Sequence, residues 1–318
     1  MSVRDRLRQA KFQLQWNMMD RAIAFKERFP FDSTERSSRF GYALISPGVL
    51  LVGFLAVGFA LLTWYSFLTY DPVEVFVYEY TLNNWERFFQ TSALHQIYFR
   101  TTLYSVGVTL FSVVLAIPYA YLVVRTERTL VRQLLLFGLF VPFFSGVIIR
   151  AYGWLIILGQ GGLINWLFTS IGLGPQNYIG TSFAVIIGLV QYMLPFAVLM
   201  LTPAMASIDR DLERAAKNCG ADSWRTFRYI VLPLARPGIT SATIIVFTLT
   251  MANYSIPKLL GGGTVSFAAT FMYQKIFTTL NYPLAAVLSI VLTAIASIIV
   301  FGVFKIYGTG TLGAEDTT

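Results

Sequence analysis

Acidic residues are missing from every long apolar run of this sequence. The chain has 24 Lys and Arg against 16 Asp and Glu, and the acids all fall between the apolar runs or towards the two ends. A proton-coupled carrier or an ion pump needs a carboxylate at membrane depth to titrate, so this absence argues against both. It also excludes a two-aspartate membrane protease. Histidine and cysteine are nearly absent, with one of each. A lone Cys219 cannot close an internal disulfide, and a lone His95 cannot build a histidine metal site. Neither His-Glu-x-x-His nor Gly-x-x-x-x-Gly-Lys-[Ser/Thr] occurs, so zinc proteolysis and nucleotide hydrolysis are not expected of this chain. No apolar core follows the basic start, and no cleavable signal peptide is expected. Energy for uphill work has to come from another subunit.

What is abundant is apolar sequence. Hydrophobic residues make up 56% of the 318 positions and charged residues only 13%, with a mean hydropathy of +0.62. These values point to an all-α polytopic membrane protein. Six segments are long and apolar enough to cross about 30 Å of hydrocarbon. They run over 41–69, 101–124, 133–157, 182–206, 238–256 and 283–306. The net charge of +8 is distributed by side rather than gathered into a nucleic-acid patch. Residues 1–39 hold 9 Lys and Arg, 125–132 hold 3, and 210–236 hold 6. The intervening segments hold Arg87, Arg100, Lys258 and Lys275, with the acids Asp71, Glu74, Glu79 and Glu86. Basic loops stay in the cytoplasm, so this asymmetry places both termini on the cytoplasmic side of a membrane crossed six times.

Three domains are expected: a cytoplasmic segment 1–39, a six-span body 40–306 and a cytoplasmic tail 307–318. Val3, Leu7, Ala10, Leu14, Met18, Ala22, Phe25 and Phe29 recur at near-helical spacing among Lys and Arg, which predicts an amphipathic helix at the membrane surface or against a partner. The apolar stretch 162–173 is too short to cross and predicts a surface or partly re-entrant helix. Aromatic residues in the outer loop 70–100 suit a headgroup belt. Pro118, Pro142, Pro195 and Pro203 lie inside predicted spans, where each removes a helix hydrogen bond and favours a kink.

The main polar interruption is the loop 207–236. Leu212, Ala215, Ala216 and Cys219 fall at helical spacing on one face. Gly220 sits where a left-handed cap would end that helix, and Asp222 or Ser223 can cap the next. Trp224, Phe227 and Val231 predict the apolar face of a second helix, and Pro233 its stop. The reading is helix, tight turn, helix at the cytoplasmic surface. Its alanines leave room for another protein's surface to approach.

This spacing resembles the EAA loop of inner-membrane permease subunits of ATP-binding-cassette importers. That loop reads Glu-Ala-Ala, three residues, Gly, nine residues, Ile-x-Leu-Pro. Ala215, Ala216, Gly220, Ile230, Leu232 and Pro233 fall on the pattern. Arg214 stands where the pattern has Glu, with Glu213 one residue earlier, leaving open whether Glu213 makes the acidic contact or a basic residue replaces it. The resemblance implies a type I importer permease fold whose loop, through Leu212, Glu213, Arg214, Ala215, Ala216, Cys219, Gly220, Leu232 and Pro233, couples to an ATPase. It further implies a second permease subunit as heteropartner, two ATPase subunits holding ATP and Mg, and a periplasmic or extracellular solute-binding protein. No cofactor is expected in this chain. Tyr254-Ser255-Ile256-Pro257-Lys258-Leu259-Leu260-Gly261-Gly262-Gly263 looks like a segment of the spermidine/putrescine permease group. Asn281-Tyr282-Pro283-Leu284-Ala285 resembles another, with Tyr282 in place of Trp. Together these imply a polyamine or related small organic solute.

Candidates for a translocation path are the polar residues inside spans. Arg150 is the one charge within a predicted span, and it must face protein, water or the outer interface. Tyr152, Trp154, Gln191, Tyr192, Asn253 and Tyr254 join it, although hydrogen bonding between helices accounts for such residues equally well. The alternative to an importer subunit is a stand-alone secondary carrier or channel.

Overall fold

The computed structural model describes residues 36–72, 77–172 and 174–307. The expected amphipathic segment and nearly all of the tail lie outside these. Two units separate at residue 61. Of the first, 36–61 are described. They form most of helix α1 (Arg36–Tyr65), whose side chains from Ile45 to Leu61 are exposed. Over Ile45–Tyr65 the mean hydropathy is 2.3. An apolar helix with no buried face belongs in a medium as apolar as itself.

The second unit starts with the end of α1 and a short antiparallel hairpin, β1 (Leu68–Thr69) and β2 (Val77–Tyr80). Then come α2 (Asn83–Gln90), α3 (Ser92–Arg125), α4 (Thr129–Phe144), α5 (Val147–Leu158), α6 (Leu163–Ser170) and α7 (Ser182–Ala206). The chain continues through α8 (Arg210–Asn218), α9 (Ser223–Leu234), α10 (Arg236–Met251), α11 (Ser255–Leu260), α12 (Ala268–Phe277) and α13 (Tyr282–Tyr307).

The centre of the bundle is α7, packed against α3, α10, α11, α5 and α4. Its buried side chains are largely small or flexible: Ala184, Val185, Gly188, Met193, Ala197, Val198 and Met205. Small residues let backbones approach where hydrophobicity alone gives no preference over lipid. At Gly188 an added Cβ would lie 2.4 Å from Leu260 of α11, and at Gly238 2.4 Å from Ala204. A second cluster, with Tyr98, Phe247, Leu284 and Leu288, ties α3, α10 and α13 together. Tyr98 donates to the Leu288 carbonyl at 2.6 Å. Hydroxyls within the helices mostly turn back on their own backbone, as Thr109 to Ser105 and Thr250 to Val246. They are thereby satisfied without lining any path.

Among the described residues five helical stretches are long and apolar enough to cross a membrane, and a sixth arises if Ser223–Leu234 and Arg236–Met251, bent by 68°, count as one. Three expected spans change shape. The segment 133–157 is two helices broken at Ser145 and Gly146, just after Pro142 removes a hydrogen bond from the last turn of α4. The segment 238–256 stops at Met251, and 41–69 ends at Tyr65 before β1. Pro118, Pro195 and Pro203, by contrast, sit within uninterrupted helices. The short helix expected at 162–173, apart from any span, is α6, which together with α5 makes up the spanning stretch Val147–Ser170. Asn165, 1% exposed, fastens the loop after it, donating to the carbonyls of Gly159 and Gln176 and accepting from the Gln176 amide.

Candidate functional site: a capped helical turn and a buried arginine

The loop 207–236 folds as two helices with local causes at each joint. Asp209 accepts from the Asp211 amide at 2.9 Å and opens α8. Asp211 and Glu213 lie in its first turn and Lys217 in its last, which suits the helix dipole. Gly220 has φ of +88° and closes α8. The Ala221 amide bonds the Ala216 carbonyl and the Gly220 amide that of Lys217, the paired pattern of a left-handed glycine cap. Asp222, rather than Ser223, caps α9 by accepting from the Arg225 amide at 2.6 Å.

Beyond this the second helix departs from expectation. Pro233 does not stop it; α9 runs to Leu234 and breaks at Ala235. A π turn over Phe227–Val231 interrupts its regular winding. That insertion turns one end of the helix relative to the other. Val231 is therefore buried, Phe227 half-buried, and Trp224 66% exposed and stacked on Phe227 at 6.0 Å.

α8 turns a charge rather than its apolar residues inward. Leu212, Ala215 and Cys219 are exposed, as are Asp211, Arg214, Lys217 and Asn218, and Ala216 is half-buried, whereas the carboxylate of Glu213 faces inward with the residue 8% exposed. Glu213 Oε1 lies 2.7 Å from Arg125 Nε at the end of α3, and Oε2 accepts from Tyr121 Oη at 2.8 Å. Arg125 also donates to the Ile208 carbonyl, 2.8 Å, and Arg210 to that of Val124, 3.2 Å. Tyr121 meets Phe227 edge-on at 5.2 Å. Removing one member of a buried ion pair costs about 3–5 kcal/mol, because the other charge stays desolvated. Arg214, at the pattern's first position, is exposed and pairs with Asp211 at 2.8 Å. Leu232 and Pro233 are half-buried on the bundle side of the turn. The sequence reading missed Tyr121 and Arg125 as partners of this loop.

The path candidates divide. Arg150 and Trp154, one turn apart on α5, meet Gln191 and Tyr192 on α7. The Arg150 guanidinium lies 4.4 Å from the Tyr192 ring centroid. Its Nε and Nη1 are buried and meet no hydrogen-bond acceptor among the described residues. Trp154 donates to Gln191 Oε1 at 3.4 Å, a long bond. Tyr152 points elsewhere and is 55% exposed. Asn253 and Tyr254 lie in the break after α10. Asn253 accepts from the Ile256 amide at the start of α11, and Tyr254 stacks on Tyr273 at 4.2 Å. No contact ties these two to Arg150, although α11 packs on α5 and α7.

Residues 91–307 match the model of the binding-protein-dependent transport system inner membrane component family. The chain belongs to this family. It is 29% identical over 257 residues to the spermidine/putrescine transport system permease protein PotB of Haemophilus influenzae, covering 80% of this chain and 89% of that one. It is 33% identical over 236 residues to PotB of Escherichia coli K12, covering 72% and 84%. A solved bacterial alginate ABC transporter, in complex with its alginate pentasaccharide-bound periplasmic protein, shares the fold. The match has a TM-score of 0.71 at 18% identity and covers 87% of this chain and 96% of that one. The chain is thus a permease subunit with the type I importer fold, and a stand-alone carrier or channel does not fit this membership. The family is one of transport components rather than enzymes.

Proposed function

We propose that this chain forms half of the membrane pathway of an ATP-driven importer, and that the turn 207–236 is where the motor subunit docks. The observation that carries this is the outward-facing apolar stripe of α8. A helix fixed to the bundle by its charged residue, with Leu212, Ala215 and Cys219 left uncovered, is built to receive another surface. The docking contacts are Leu212, Arg214, Ala215, Ala216, Cys219 and Gly220. Glu213, Leu232 and Pro233 back them from the bundle side. ATP and magnesium bind in the two ATPase subunits and supply the work. A second, distinct permease subunit completes the pathway, and a solute-binding protein meets the opposite end.

In this reading the basic segments put both termini and α8 in the cytoplasm. The domains are a cytoplasmic segment 1–39, a permease body 40–306 and a tail 307–318. The solute is a polyamine or related small organic molecule, on the strength of the relatives. The apolar runs of this chain hold no carboxylate, so cation binding by this chain rests on aromatic faces and carbonyls. Arg150, Tyr152, Trp154, Gln191, Tyr192, Asn253 and Tyr254 are the residues proposed for the path.

The test is uptake of radiolabelled spermidine and putrescine by proteoliposomes holding the assembled transporter and its binding protein. Uptake that requires ATP and is lost in Gly220→Trp supports the reading. Normal ATP-dependent uptake by that variant refutes the docking assignment. ATPase stimulation by the binding protein without uptake of either amine refutes the polyamine assignment alone.

A further inference from the structure

The inward carboxylate of α8 has more to do than hold one helix. The end of α3 reaches it from far off in sequence: Arg125 and Tyr121 both contact the carboxylate, Arg125 also donates to the Ile208 carbonyl just before α8, and Tyr121 packs on Phe227 in the π turn of α9. α3 in turn runs the length of the bundle packed on α7 and α10, and α7 carries Gln191 and Tyr192 against Arg150 and Trp154. A displacement of α8 therefore reaches the middle of the bundle through α3 without crossing a flexible joint. α9 offers no equally stiff route, since a π turn and a 68° bend lie between it and α10.

We infer that Arg125, Glu213 and Tyr121 are positioning residues that form a strut, making α8 and the end of α3 move as one body when the motor closes. The inference rests on the docking reading above and adds to it the direction of transmission: through α3, and by Glu213 facing inward rather than by an acidic docking contact. Both ring and guanidinium are needed. Tyr121 donates a hydrogen bond to one carboxylate oxygen and Arg125 sets its charge 2.7 Å from the other, so the carboxylate is held by two different groups of α3.

The experiment uses the complete transporter in lipid nanodiscs, in a Cys219→Ser background. Spin labels are placed at Asn218→Cys on α8 and Leu110→Cys on α3, both exposed. Their separation is measured without nucleotide and after trapping with ATP and vanadate. With the strut intact the α8–α3 distance stays the same in both states. In Glu213→Gln it matches wild type without nucleotide but shifts on trapping, while ATPase co-purification is unchanged. The exchanged pair Arg125→Glu/Glu213→Arg restores the fixed distance. A merely structural role would alter the nucleotide-free state and leave no nucleotide-dependent shift. The strut is overturned if the wild-type distance itself changes on trapping, or if Glu213→Gln behaves as wild type in both states. Failure of the docking reading shows separately, as an α8 label that never approaches the ATPase subunits.

Discussion

Arg125 and Arg150 are half-buried guanidiniums in the same chain, solved in opposite ways. Arg125, at the end of α3, has a carboxylate at 2.7 Å and a carbonyl at 2.8 Å. Arg150, on α5, has an aromatic face at 4.4 Å and two buried nitrogens without an acceptor among the described residues. A charge kept apart from water is retained cheaply only when a counter-charge neutralises it, so the first reads as architecture. The second has only the Tyr192 ring beside its charge among the described residues. The basic end of this bundle neutralises its buried charge with a carboxylate, whereas its α5–α7 cluster sets an aromatic face against it.

Four outcomes sharpen or break that contrast. The largest effect is expected at the joint that presents α8. Gly220→Trp puts a bulky L-residue at φ of +88° and should abolish ATP-driven uptake while membrane insertion, read by fractionation, stays normal. Next, Glu213→Ala strands Arg125 and should lower stability by about 3 kcal/mol, seen as earlier thermal inactivation of the purified complex. If Glu213→Ala is as stable as wild type, the end is not the closed network described. Arg150→Ala should then change stability by less than about 1 kcal/mol, because lost cation–π attraction is offset by relief of desolvation. Basal ATPase activity or uptake should change instead, while Lys11→Ala changes neither. Equal, negligible effects of both would make Arg150 a residue that merely reaches the headgroups. The smallest effect belongs to Arg214→Ala, whose exposed pair with Asp211 is worth about 0.5 kcal/mol or less and weakens further with salt.

Much of this was legible before any coordinates. Gly220 could be placed at the end of α8 because few other residues tolerate a left-handed cap, and the start of α9 at Asp222 or Ser223 because either side chain can accept from an orphan amide; the fold chose Asp222. The positions of α7 and α13 followed from uninterrupted apolar runs. The broken span did not, since Pro142 lies inside its helix just as Pro118, Pro195 and Pro203 lie inside theirs, and the break falls just beyond Phe144, at Ser145 and Gly146. The π turn, which exposes Trp224, has no signature in residue spacing. The Glu213–Arg125 pair joins residues far apart in sequence, and only folding brings them together.

The order of the chain alone determined that this is a helical membrane protein. Transfer energies of long apolar runs are local properties that no partner alters. Which face of α8 points outward was decided by tertiary structure. Helical periodicity names an apolar stripe but not its direction, and here a buried carboxylate, claimed by the end of α3, turns that stripe away from the bundle.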